Sequence, residues 1–86
     1  MDPDEILRGV QEETAAALGL TAGEASPEKH LVADLGAESI DFIDLTFRLE
    51  KRFQIEIPEG ELFESRKIPA ASLTVRAVAE YLQKLT

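Results

Sequence analysis

The 86-residue chain contains no cysteine. That excludes disulfides, a thiol nucleophile and any thiolate metal site, so chemistry that needs a thiol must borrow one from outside. There is one histidine, His30, which leaves no His-rich metal cluster, and the scattered carboxylates lack calcium-loop spacing. No apolar run approaches the length of a membrane span, and the acidic N-terminus is unlike a signal or transit peptide, so the cytoplasm is the expected compartment. Basic residues are also scarce. Nine of them face seventeen acidic ones, a net charge of −8, which argues against nucleic acid or a membrane as partner and for docking onto basic protein surfaces. The plainer reading is that such charge keeps a small protein soluble. Repeats, low-complexity tracts and linkers are absent.

With 44% apolar residues, the chain can bury one modest core, and residues 1–86 are expected to form a single domain of marginal stability. Asp2 and Pro3 open a first helix, with Asp4 and Glu5 favourable at its positive end. Ile6, Leu7, Val10, Thr14, Ala17 and Leu18 give it one apolar stripe, with Glu12 and Glu13 off it. Gly19 ends it as a C′ residue, and Leu20 can fold back onto the last turn. Residues 19–38 make a connection too long for a compact domain unless it is pinned. Ser26-Pro27-Glu28 is placed to cap a single turn, and Leu31, Val32 and Leu35 are the expected anchors. A second helix follows from about Ser39 to Phe53. Its apolar set (Ile40, Phe42, Ile43, Leu45, Phe47, Leu49, Phe53) is wider than one face, so either part of it stays exposed as a docking surface or all of it packs inward. Ile55-Glu56-Ile57-Pro58 reads as an extended exit, 59–64 as a short helix anchored by Leu62 and Phe63, and 65–72 as a loop. Thr74 caps a final helix with Val75, Val78, Ala79, Leu82 and Leu85 on one face and Lys84 near its end. The expected fold is all-α: a small four-helix bundle, three long helices and one short, with a long loop between the first two.

The stretch Asp34-Leu35-Gly36-Ala37-Glu38-Ser39-Ile40-Asp41 is where that loop becomes a helix. Ser39 sits at the corner, near free backbone N–H groups that favour a bound phosphate. A serine at a helix start is most often only an N-cap. If Glu38 takes the cap position, however, Ser39 falls inside the first turn with its hydroxyl outward, a position for a reactive or modified group. The run resembles the acyl carrier protein signature Asp-Leu-Gly-x-Asp-Ser-Leu-Asp, with Glu38 for Asp and Ile40 for Leu. Leu45, Leu49, Glu50, Phe53, Ile57-Pro58, Thr74-Val75, Ala79 and Tyr81-Leu82 extend the resemblance over nearly the whole chain.

In that family the serine carries 4'-phosphopantetheine through a phosphodiester, and the thiol at the far end of the arm holds an acyl group as a thioester. The resemblance therefore implies Ser39 as attachment point, framed by Asp34, Leu35, Gly36, Glu38, Ile40 and Asp41, and delivered to the helix start by the long loop. It also implies a split second helix. Leu45, Leu49 and Phe53 would face inward, with Ile43 and Phe47 partly outward among Asp41, Asp44 and Glu50 as the partner-binding surface. Family partners grip this helix with arginine and lysine. They are a phosphopantetheinyl transferase and the acyl-transferring and chain-modifying enzymes of fatty-acid, lipid or polyketide-type synthesis. A monomer that itself does no catalysis is implied.

Two departures stand out. Arg48, Lys51 and Arg52 mix the charge of a helix that is usually acidic throughout, and residues 59–73 run a few positions long. The basic residues either select against the usual partners, or Asp44–Arg48 is an ordinary i,i+4 pair on a solvated face. A peptidyl or aminoacyl carrier, whose second helix is typically more mixed, is the alternative within the resemblance. An unmodified helical adaptor is the alternative outside it, and modification of Ser39 discriminates them. His30 reads either as a pH-responsive group or general base or as a polar loop residue. A hydrolase built on Ser39 would need it as base, with nothing evident to orient it or to form an oxyanion hole.

Overall fold

The computed structural model describes residues 1–58, 62–63 and 72–86. Among them are three α-helices, α1 (Pro3–Leu18), α2 (Ser39–Phe53) and α3 (Val75–Leu85), and no strand beyond one isolated bridge between His30 and Thr74. The all-α expectation holds. The short helix expected over 59–64 and the loop over 65–72 fall outside the described residues, apart from Leu62, Phe63 and Ser72.

Each helix begins and ends for local reasons. The Asp2 side chain accepts the Asp4 N–H at 3.2 Å, and Pro3 stands in the first turn, where its missing donor has no intrahelical acceptor. At the other end Gly19 turns left-handed (φ 71°), and the Leu20 N–H reaches back to the Ala15 carbonyl at 2.8 Å. α2 ends the same way without a glycine. Gln54 takes the left-handed conformation (φ 54°, ψ 51°), and the Ile55 N–H bonds the Glu50 carbonyl at 3.1 Å. The Thr74 hydroxyl oxygen accepts the Ala77 N–H at 3.0 Å and starts α3.

α1 packs against both other helices, whereas α2 and α3 do not approach each other within 8 Å between Cα atoms. The connecting segments fill the core that this leaves: Leu31, Ala37, Ile57, Leu62 and Leu73 join Ile6 and Val10 of α1, Leu45, Leu49 and Phe53 of α2, and Val75, Val78, Ala79 and Leu82 of α3 in one apolar cluster. The buried face of α1 is turned from the expected stripe. Gly9 and Ala15 are buried with Ile6, Val10 and Thr14, while Leu7, Ala17 and Leu18 are only half-buried. The Thr14 hydroxyl is buried with no hydrogen-bond partner among the described residues. An unsatisfied buried hydroxyl costs about 1–3 kcal/mol, and valine matches threonine in shape and helix propensity. Thr14→Val should therefore raise the thermal midpoint, by roughly 4–8 °C per kcal/mol in a domain of this size. A midpoint unchanged in a thermal melt would show that the hydroxyl has a partner in solution.

The long connection is pinned mainly by backbone hydrogen bonds. Leu31 N–H donates to the Leu73 carbonyl (2.9 Å), Val75 N–H to Lys29 (3.0 Å) and Arg76 N–H to Pro27 (2.9 Å), which clips residues 27–31 to the start of α3. Leu31 is fully buried as expected, but Val32 and Leu35 are half-buried, and Ala25 and Ala37 hold the other buried positions. Ser26–Lys29 forms a single turn, closed by the Lys29 N–H on the Ser26 carbonyl at 3.1 Å. A second turn pairs Thr21 with Glu24, whose N–H reaches the Thr21 hydroxyl oxygen at 3.3 Å.

Candidate functional site

The chain enters α2 through a tight helical turn over residues 30–35. Asp34 and Leu35 N–H both bond the His30 carbonyl (3.0 and 3.1 Å), Gly36 N–H bonds Val32 (3.0 Å) and Ala37 N–H bonds Leu31 (2.8 Å). Asp34 closes the turn from the side. One of its carboxylate oxygens accepts the His30 N–H at 2.7 Å and lies 3.0 Å from the His30 ring Nδ1. Gly36 then takes φ 71°, which an L side chain resists, and none of the described residues lies within 4 Å of where its Cβ would stand. The corner is therefore open to approach from outside. His30 is held in this loop as a partner of Asp34.

The His30 N–H first, and the His30 ring second, hold the Asp34 carboxyl below the usual carboxylate range. A carboxyl depressed in the folded state contributes stability above its unfolded pKa, about 3.9, and loses it as pH falls through the lower folded value. Asp34→Ala should thus melt below wild type at pH 7, and the gap should close as pH falls from about 4. Melting curves recorded from pH 7 to pH 2 test this, and a gap independent of pH would remove the charge from the account.

At the helix start Glu38 is extended (φ −112°) and occupies the N-cap position. The Asp41 carboxylate accepts the Glu38 N–H at 2.8 Å, and the Glu38 carbonyl accepts the N–H groups of Asp41 and Phe42 at 2.9 and 3.2 Å. Ser39 is consequently the first residue of the helix rather than its cap. It is exposed, and its hydroxyl has no hydrogen-bond partner among the described residues. The leading N–H groups of a helix have no intrahelical acceptor, so this corner combines a free hydroxyl with partial positive charge.

Beyond it α2 divides into two apolar faces. Leu45, Leu49 and Phe53 are buried, and half-buried Phe42 stacks on Phe63 with ring centroids 4.9 Å apart. Ile40, Ile43 and Phe47 point away from the core with 70%, 58% and 66% of their surface exposed. That is a row at i, i+3 and i+7, beginning one residue after Ser39. Ile40, expected from the motif alone, joins Ile43 and Phe47 on this exposed surface. Its spacing from Ile43 and Phe47 puts it on the same side of the helix.

The charged groups are arranged less simply. Asp44 is exposed and holds Arg48 Nε at 2.9 Å, so the i,i+4 pair forms. Arg48 also reaches Glu13 at 3.7 Å, and Arg52 binds Glu12 and Glu13 of α1 at 2.7 and 3.1 Å. Asp41 is half-buried in its capping role, and the half-buried Glu50 carboxylate accepts the Ile57 N–H at 2.9 Å. No group of three or more acidic, His or Cys side chains among the described residues is placed to hold a metal. Nor is any described helix long and apolar enough to cross a membrane.

A free hydroxyl, an open approach and an electropositive helix start suit a group attached through a phosphodiester. The comparisons with known proteins agree. The family described as "Phosphopantetheine attachment site" matches residues 8–82. An acyl carrier protein of Rubrobacter xylanophilus is 40% identical over 81 residues, which cover 94% of this chain and 96% of that protein. An acyl carrier protein of Helicobacter hepaticus is 36% identical over 83 residues, 96% of each chain. The prosthetic group of such domains is 4'-phosphopantetheine, and the proteins are carriers rather than enzymes. Since the match runs from α1 through the serine corner into α3, the chain belongs to the acyl carrier protein family.

Proposed function

We propose that residues 1–86 act as one monomeric carrier domain that holds acyl groups as thioesters on 4'-phosphopantetheine attached to Ser39. It presents them in the cytoplasm to the acyl-transferring and chain-modifying enzymes of fatty-acid, lipid or polyketide-type synthesis. The observation that carries this reading is the exposed Ser39 hydroxyl, unpartnered among the described residues, on the first residue of α2. When bound, the group supplies the terminal thiol that this cysteine-free chain lacks. The chain's own residues do the rest. Ser39 offers the attachment oxygen, the first-turn amides and helix dipole favour the phosphodiester's negative charge, and Gly36 leaves room for a phosphopantetheinyl transferase. Asp34 and Asp41 hold the loop and helix start in place. Ile43, Phe47 and Asp44, with Ile40, supply the exposed surface on which enzymes dock.

Incubation with a phosphopantetheinyl transferase and coenzyme A tests the reading. One arm should be added per chain by intact mass, and peptide mapping should put it on Ser39. A wild type that several transferases leave unloaded would mean an unmodified helical adaptor that uses the same exposed surface.

A further inference from the structure

The basic residues of α2 have different fates in the fold. Arg48 is neutralised by Asp44 and Glu13, and Arg52 by Glu12 and Glu13. Both lean toward the edge that α2 shares with α1. Lys51 is exposed, and among the described residues no carboxylate pairs with it. At 100° per residue, positions 40, 43, 44, 47 and 51 fall within an arc of about 100° opposite Leu45, Leu49 and Phe53. The outward stripe therefore runs Ile40, Ile43, Asp44, Phe47, Lys51. It is apolar with one acid in its middle turn and one cation in its last. Glu50, the acid nearest that cation in sequence, is turned to the Ile57 amide.

We propose that Lys51 sets partner choice on this surface. It favours partner proteins that bring a carboxylate against the last turn of α2, and it disfavours those that bring a lysine or arginine there. The inference rests on the carrier reading above. Its physical basis is charge complementarity around a small apolar contact. A cation beside Phe47 lies at the rim of any interface that covers Phe47, where like charge slows association and opposite charge speeds it. Arg48 and Arg52 carry the same formal charge but are already paired, so a partner meets much less of it.

The test uses the full-length carrier, loaded and acylated, and the condensing enzyme of a general bacterial fatty-acid synthase, an enzyme suited to a uniformly acidic helix. Compared with wild type, K51E should raise kcat/KM about fivefold and K51Q about twofold at low salt, and the gain should fade at high ionic strength. R48A and R52A should stay within about twofold of wild type. Reversing the enzyme's docking-face lysines and arginines to glutamate one at a time should yield one variant that prefers wild-type carrier to K51E. The proposal is overturned if K51E is no better than wild type, if R48A or R52A gives an equal gain, or if no reversed enzyme changes its preference. Loading is scored separately by mass. A carrier that loads normally but is indifferent at Lys51 refutes this inference alone, whereas failure to load refutes the carrier reading and this inference with it.

Discussion

Ser39→Ala should fold as well as wild type and accept no phosphopantetheine. The two halves of that result together separate a structural serine from a functional one. Replacing a serine that caps a helix by alanine costs about 0.5–2 kcal/mol, which at this size would lower the thermal midpoint by several degrees. Here Glu38 holds the cap position, Asp41 closes the turn, and the Ser39 hydroxyl is exposed. Its removal deletes no hydrogen bond to a described residue, and alanine is a good first-turn residue. The melting curve should stay within about 0.5 kcal/mol of wild type, the range of ordinary surface substitutions. Intact mass after transferase treatment should show no increment at all. A marked loss of stability would return Ser39 to the capping role, and undiminished loading would move the attachment to another hydroxyl.

Gly9→Ala should be the most destabilising single-methyl addition in α1. An alanine Cβ at Gly9 would stand 2.5 Å from Cζ of Phe53 and 3.2 Å from Nε of Arg52. The first distance is far inside van der Waals contact, and the atom met is the tip of a buried aromatic ring. Phe53 cannot swing aside cheaply, because exposing a side chain of that size costs about 1.5–3 kcal/mol. Arg52 is tied to Glu12 and Glu13. Overpacking of this kind costs about 1–3 kcal/mol. Alanine returns up to about 1 kcal/mol through its better helix propensity, so the steric term wins. With the clash this close, we expect a net loss of up to about 2 kcal/mol and a midpoint lower by as much as roughly 8–16 °C. A midpoint raised by a few degrees would mean that α1 and α2 slide apart easily, and that their close approach at Gly9 is not what sets the spacing of the helices.

The helix ends were legible in the sequence because their causes are local. Asp2-Pro3, Gly19 and Thr74 act on amides and carbonyls within four residues of themselves, and all three sit where their chemistry placed them. The start of α2 at Ser39 was legible for the same reason, and so was the inward set Leu45, Leu49 and Phe53, which the family resemblance implied. The left-handed Gln54 was not. It is not a residue that favours that conformation, and a contact seven residues along the chain, Glu50 on the Ile57 amide, secures the exit.

What the sequence determined by itself is thus the all-α class, the position of the serine corner and the family, since each rests on short-range patterns or on a motif. Tertiary structure decided how the charges and apolar groups are used. The distant Glu12 and Glu13 pair with Arg52, and Glu13 also with Arg48, because packing α2 on α1 at Gly9 brings the two edges together. Lys51 is left facing outward by the same rotation. The loop is held by backbone hydrogen bonds to residues more than forty positions away, and apolar periodicity carries no information about such partners. Whether Ile40, Ile43 and Phe47 face the core or water depends on which side of α2 is covered, and only the packing of α1 against the opposite face resolves that.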